Sequence, residues 1–483
     1  MSVSRTAETV ASCCREVWRL RPGVYLAVDR AGQEYLLHRS ASQRLGRLTE
    51  LQRTVVRQLA ESERVDESLR ADARDHGGDR GEEELEELIR QLRTGGWLYV
   101  TVLHNDRPAY TVEPYRRPAD PPAGKRGAAL VLSRFAVMHR SGAGLLVESP
   151  RSWCAVRLHD PDVVAALATY TTPQAGTDGG PLPVPLAERM LFDLTWATML
   201  VETPGDEDTA FELRQWSPHE LWFHQRSRGD GVPDRPFGRT RWAAGEFEPL
   251  PARRPSFAGP AVDLPRPDLD AVRRTDATLT GVLEERRSIR RHDDQRPISL
   301  DQIGEFLYRA AGIRRVAAHD GVELMTGPNP SGGALDALEL YLAVRLAEGV
   351  EPGLYRYDRF GHRLEHVSGL TQPVRRLVDA AQNATGSGES PQTYPPQLVV
   401  LLAARFGRVG WSYETLAYSL ILKQVGVTYQ TMYCVATAMG LAPCALGAGD
   451  PAAFAAATGL DPFSESTVGE LILGSRPDRQ VVT

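Results

Sequence analysis

Eight prolines fall between residues 229 and 275 (Pro233, Pro236, Pro249, Pro251, Pro255, Pro260, Pro265 and Pro267). They constrain this chain more than any other feature. Proline has no backbone N–H and a fixed φ, so the stretch suits neither a helix nor a central strand and reads as an ordered connector. The parts before and after it must each build a core. With 483 residues and 42% hydrophobic content, the chain has material for about three domains.

Before the connector, residues 1–116 read as one small domain. Short strands at 17–28 and 33–38 flank the turn Asp29-Arg30-Ala31-Gly32. Leu48, Leu51, Val55 and Leu59 then mark an amphipathic helix. A charged loop is expected over 62–81, followed by a helix at 82–92 that ends at Gly95-Gly96 and a strand over 97–102. This order resembles a winged-helix unit. Beyond a linker at 117–124, residues 128–228 loosely repeat it, with strands at 129–132 and 144–148, helices at 160–168 and 185–194, and a closing strand at 199–201. The acidic helix at 82–92 speaks against DNA, whereas an exposed strand edge can take an extended peptide by strand addition. The aromatics of 211–228 fit either a binding platform or packing between domains.

The formal charge of −6 argues against nucleic acid as the main partner. No apolar run reaches membrane length, and residues 1–11 lack the apolar core of a signal peptide, so the expected location is cytoplasmic. Cys13, Cys14, Cys154, Cys434 and Cys444 have the spacing of neither a disulfide framework nor a metal site, and read as reduced thiols.

After the connector, residues 276–483 carry the chemistry. Arg286, Arg287, Ser288 and Arg290 crowd three guanidinium forks and a hydroxyl into five positions. Such forks match phosphate oxygens, although an isolated run of this kind is more often a solvated basic turn. A capping box at Ser299 and Gln302 starts a helix directly behind the run, and Gly312 stops it. In the loop 327–335, Gly332 and Gly333 permit close backbone approach to a planar or phosphorylated ligand. Strands are expected at 338–344 and 397–404, a hairpin at 353–365, and a late strand at 469–474. A long helix over 413–439 is apolar nearly all round, which implies burial, as in a dimer, while Lys423 and Gln424 exclude a membrane span. The small-residue loop 443–449 follows it and reads equally as a plain helix-ending loop.

Taken in series, the segment 216–228, the Arg-Arg-Ser-x-Arg run, Asn329-Pro330-Ser331-Gly332-Gly333-Ala334-Leu335 and Gly353-Leu354-Tyr355-Arg356-Tyr357 resemble the FMN-dependent nitroreductase superfamily. Within it, they resemble the SagB-type thiazole/oxazole dehydrogenases. The resemblance covers residues 210–480, and the two N-terminal segments look like the peptide-recognition winged helices found in front of such enzymes. It implies an α+β chain: two small winged-helix-like domains, the 229–275 connector, and a nitroreductase-like mixed sheet flanked by helices at 276–483.

By the same resemblance, Arg286, Arg287, Ser288 and Arg290 hold the FMN phosphate and ribityl chain, with Arg476 adding a phosphate contact. Pro330, Ser331, Gly332 and Gly333 line the flavin, from the partner subunit of a homodimer if need be. Ala445, Leu446 and Gly447 match the loop whose backbone N–H faces flavin N5. No metal is implied. The implied reaction oxidises a thiazoline or oxazoline in a ribosomally made precursor peptide to the azole, with oxygen reoxidising the flavin and a cyclodehydratase as a further partner. Relatives commonly carry a Lys-Tyr pair at the head of the long helix. Here Ser412-Tyr413 stands there, which leaves Tyr413 as the catalytic candidate, although an aromatic at a helix start is as often a core residue. An unperturbed phenol is a poor base at neutral pH. A flavin dehydrogenase for another peptide bond or ring, or a catalytically inactive leader-peptide-binding scaffold, are the alternative readings.

Overall fold

A computed structural model describes residues 14–38, 41–122, 129–142, 144–174, 180–229, 236–386 and 393–478. The chain separates into two compact units, Met1–Arg235 and Pro236–Thr483. Among the described residues Cys14, Cys154, Cys434 and Cys444 are in no disulfide, while Cys13 lies outside them. No described helix is long and apolar enough to cross a membrane.

In the first unit both expected segments contribute to a single seven-stranded sheet. Its first half consists of Arg64–Val65, Glu16–Leu20, Leu98–His104 and Arg107–Pro114. The second half consists of Cys154–Leu158, Gly144–Glu148 and Val137–Ser141. The halves join where Arg107–Pro114 pairs antiparallel with Cys154–Leu158. A buried ion cluster also crosses the join: Arg189 contacts Glu16 at 2.6 Å and Asp193 at 2.9 Å, and the Tyr110 hydroxyl donates to Asp193 at 2.8 Å. Burial pushes the Glu16 carboxyl up, but Arg93 and Arg189 outweigh it and hold it below its ordinary range. The segments 1–116 and 128–228 are thus halves of one compact unit.

The charged stretch expected to be a loop at 62–81 is largely helical: Asp66–Gly95 runs as two helical arms broken at Gly78, where φ is +58°. Leu69 and Ala73, four residues apart, are fully buried among the charges. Those two positions decide the conformation, and ion pairs Arg70–Glu86 and Arg74–Glu82 tie one arm to the other. The 211–228 aromatics divide. Leu221 and Trp222 are buried on the helix Pro218–Arg228, while Phe211 is exposed.

The second unit holds a seven-stranded sheet in the order Ala261–Asp263, Arg363–Gly369, Gly353–Asp358, Leu338–Val344, Leu398–Arg405, Glu465–Ser475, Leu441–Leu446. Each pairing is antiparallel rather than mixed. Every residue of Leu338–Val344 and Leu398–Arg405 is buried. Alternate positions explain the continuous apolar reading: Leu340, Leu342, Val400 and Leu402 face one core, and Tyr341, Ala343, Val399 and Leu401 face the other. Two helices dominate the first face, Leu300–Ala311 with its Ser299/Gln302 capping box and Ala417–Ala438. The long helix starts four residues later than expected, because Thr415 takes φ +69° and breaks the turn that carries Tyr413.

The connector corrects in two places. Leu269–Thr275 is helical, capped by Asp268 once the last proline has passed. Residues from 236 onward belong to the second unit, where they form a strap along the segment 410–415. Gly238 and Glu414 exchange backbone hydrogen bonds, the Arg241 N–H donates to the Ser412 carbonyl at 3.0 Å, and the Trp242 and Trp411 indoles donate to the Gly410 and Phe247 carbonyls. The strap prolines can only accept, and Pro236 does so from the Thr415 hydroxyl at 3.2 Å.

Gln397 fixes the chain that follows the arginine run. Its side-chain oxygen accepts from the Ile298 and Ser475 N–H groups at 3.0 and 2.9 Å, and its backbone N–H donates to His292 Nδ1 at 3.0 Å. Burial pushes the His292 imidazole from 6.5 down to about 4. Its folded pKa lies below the unfolded one, so its stabilising contribution is complete above pH 6.5 and is lost as pH falls toward 4. Unfolding free energy measured in urea should therefore fall more steeply in wild type than in His292→Asn over this window, by about 1.4 kcal/mol per pH unit. Parallel curves would show that His292 is not buried in its neutral form.

Candidate functional site

The helix Leu279–Glu285 delivers the arginine run, its first turn capped by Thr278. The Ile289 N–H then donates to the Pro443 carbonyl at 2.8 Å, which lays the run alongside the strand Leu441–Leu446. Tyr433, which the sequence reading did not single out, lies between them on the long helix. Its hydroxyl is 2.8 Å from Ser288 Oγ and accepts the Ala445 N–H at 2.8 Å, and the Arg286 guanidinium stands 5.2 Å over its ring. One phenol thus links Arg286, Ser288 and Ala445. Burial raises the adjacent Cys444 thiol, against which Arg290 and hydrogen bonds from Ser288 and Tyr433 work.

Arg287 and Arg290 are exposed, and Arg286 and Arg476 half-buried. Among the described residues none of these four arginines forms an ion pair with a carboxylate, although many other arginines of the chain do. Arg476 stands just past Ser475, at the Gln397 anchor rather than at the Tyr433 node. Ala445 and Leu446 are strand residues rather than loop, and the Ala445 N–H is already engaged by Tyr433. Gly447 is the first residue beyond the strand, exposed, with open space where a Cβ would stand.

The other expected group gathers at the far end of the long helix. Pro330 is exposed; Ser331 Oγ accepts the Asp336 N–H at 3.1 Å and closes the turn Gly332–Ala334. A Cβ at Gly332 would meet Leu420 at 3.1 Å, and one at Gly333, where φ is +59°, would lie 2.8 Å from the Tyr413 hydroxyl. Tyr413 and the glycine pair are therefore in contact. Asp336 anchors the loop from behind, held by Arg359 at 2.7 Å and Gln424 at 2.6 Å. Ser412 is fully buried, and its hydroxyl makes no hydrogen bond among the described residues. The position where relatives carry lysine is thus an interior one here, and Lys423 is exposed.

The two groups do not meet within one chain. Gly332 packs on Leu420, and Ser288 on Tyr433, which puts them about 20 Å apart along the helix axis at ~1.5 Å per residue.

Residues 283–475 match the nitroreductase family, and residues 130–231 match the family described as cyanobactin oxidase ThcOx. The chain thus combines a region similar to the nitroreductase family of oxidoreductases with a region ahead of it similar to cyanobactin oxidase ThcOx. A Methanocaldococcus jannaschii protein named as a nitroreductase is 28% identical over 191 residues, which is 39% of this chain and 86% of that protein. Among solved structures, a Ralstonia eutropha JMP134 protein titled as a nitroreductase is 24% identical, covering 47% of this chain and 95% of its own, with TM-score 0.35. A chain of the E. coli microcin synthetase McbBCD complex with truncated pro-MccB17 bound is 20% identical, covering 53% and 91%, with TM-score 0.34. An Exiguobacterium sibiricum structure, titled as a nitroreductase in complex with FMN, is 13% identical, covering 43% and 94%, with TM-score 0.29.

The contact between residues 333 and 413 can be tested without a ligand. Gly333→Ala adds a Cβ against the Tyr413 hydroxyl at a left-handed position and should destabilise the protein by about 2 kcal/mol. In a Tyr413→Phe background the nearest remaining ring atoms lie at 3.5 and 3.6 Å, ordinary contact distances, so the cost should drop by roughly 1 kcal/mol in a thermal-denaturation double-mutant cycle. Equal costs in both backgrounds would refute the contact.

Proposed function

We propose that this protein is an FMN-dependent dehydrogenase of the SagB type, which oxidises thiazoline or oxazoline rings in a ribosomally made precursor peptide to thiazoles or oxazoles. The observation that carries the reading is the presence in one chain of the cyanobactin-oxidase match at 130–231 and the nitroreductase match at 283–475. The residues fit a flavin mononucleotide. Arg286, Arg287 and Arg290 are guanidinia without carboxylate partners among the described residues, grouped around the Ser288 hydroxyl, as a phosphate monoester requires. Gly333, whose missing side chain leaves room for the Tyr413 phenol, suits a planar ring system.

When bound, the flavin supplies a two-electron acceptor, with oxygen as the final oxidant. The chain's own residues do the rest. Arg286, Arg287, Ser288 and Arg290 bind the phosphate end, with Arg476 as a further phosphate contact. Tyr413 holds or moves the proton of the substrate α-carbon. Leu446 and Gly447 border the flavin at the strand end, and Pro330, Ser331, Gly332 and Gly333 line the ring. Because the phosphate group and the glycine loop sit at opposite ends of one helix, the reading takes the glycine loop from a second copy of the chain in a homodimer. The winged-helix-like first unit takes the leader-containing precursor peptide, and a cyclodehydratase supplies the azoline in the cytoplasm. Ser412 in place of lysine favours a second reading, a flavin dehydrogenase acting on another peptide bond or ring.

A cyclodehydrated precursor peptide incubated with FMN-loaded protein should lose about 2 Da per ring by mass spectrometry. Tyr413→Phe should slow that loss about a hundredfold. No loss with any azoline peptide, from a protein that does bind FMN, would move the assignment to the second reading. A protein that takes up no FMN would be a scaffold.

A further inference from the structure

Tyr433 has no assigned role, yet it touches two residues of the proposed phosphate site, Arg286 and Ser288, and joins them to Ala445. The direction of its hydrogen bonds matters. The Ala445 N–H can only donate, so it occupies an acceptor position of the phenol oxygen. The phenol proton is left to be donated, and Ser288 Oγ lies 2.8 Å away. If Ser288 accepts it, the serine proton points away from Tyr433. Ser288 is exposed, whereas Tyr433 is buried, so the released donor is left to the Cys444 sulfur beside it or to a ligand arriving from solvent. Successive donors in such a chain polarise one another and strengthen the last. The Arg286 guanidinium over the phenol ring is held there by the ring's electron-rich face.

We infer that Tyr433 is the positioning residue of the anion site, relaying the Ala445 N–H through its own hydroxyl so that the Ser288 hydroxyl is presented as a donor to a phosphate monoester. The inference rests on the flavin-phosphate reading and deepens it. It separates the two ends of the cofactor: Tyr433 acts on the phosphate and not on the ring. It also implies that Tyr433 and Ser288 work as one unit.

The test compares FMN with riboflavin, which lacks the phosphate, in flavin-fluorescence titrations of the full-length apoprotein. Tyr433→Phe keeps the ring, its packing and the Arg286 contact, and loses only the hydroxyl. It should weaken FMN about tenfold and leave riboflavin unchanged. Ser288→Ala, at an exposed position, should weaken FMN to a similar extent, and the double variant should be no weaker than the weaker single variant. FMN binding by Tyr433→Phe as tight as wild type, equal loss of FMN and riboflavin, or fully additive single losses would each overturn the inference while leaving the cofactor reading in place. A wild-type protein that binds neither flavin overturns the cofactor reading first, and the inference with it.

Discussion

The second unit depends on a buried guanidinium that has no carboxylate partner among the described residues. Arg408 is 3% exposed and spends its donors on backbone carbonyls: Leu335 from Nε and Nη2, Leu250 from Nη1, and Glu323 from Nη2, at 2.6 to 3.0 Å. Burial, with Arg405 nearby, pulls its pKa down to about 10. Three chain segments, the strap, the Val322–Thr326 hairpin strand and the end of the glycine loop, converge on this planar fork, and the Ala252 N–H adds a bond to Glu323 Oε2 at 2.6 Å. Lysine has no such geometry to offer. Five residues further on, the same segment presents Tyr413, so the phenol inherits its position from a residue that touches neither it nor any ligand.

Charge is handled differently on the two faces of the sheet. Around Tyr341, the side chains of Glu339, Arg356, Glu365, Arg405, Glu465 and Arg254 pair among themselves and are mostly buried. Burial raises Glu339 against the pull of Arg356 and Arg405, while in Glu365 the attraction of Arg356 overcomes burial and lowers it. That is internal compensation, the usual condition for charge inside a protein. The run at 286–290 is its opposite: its arginines stand at or near the surface and, among the described residues, form no ion pair with a carboxylate. The contrast gives the run its chemical meaning, since the same protein neutralises its arginines elsewhere.

Much of the second unit was legible in the sequence, because its signals are local. The strands 338–344 and 398–405 are apolar at all but one position each, Glu339 and Arg405, as strands buried on both faces commonly are, and the Ser299/Gln302 cap announces its helix within four residues. What escaped was decided at long range. The arms of Asp66–Gly95 hide two buried residues among charges, a pattern too sparse for periodicity to register. The continuity of the first sheet rests on pairing between residues about 40 positions apart, which no local motif encodes. Tyr433 was passed over because it lies 145 positions from Ser288, and an aromatic on a buried helix is ordinarily core. Its hydroxyl made the difference: a buried phenol needs a partner, and the nearest candidates belonged to the two motifs already under suspicion.

The strap has a consequence for how such proteins are assembled in evolution. Sequence similarity to nitroreductases begins at residue 283, but the carbonyls of Leu250, Ala252 and Phe247 satisfy Arg408, Arg405 and Trp411 inside the second unit. A front module exchanged by recombination anywhere between 253 and 275 would replace the segment that supplies acceptors to two buried guanidinia and an indole. The viable seam lies ahead of the strap, so the proline-rich segment has to be inherited with the domain it braces, whatever module stands in front.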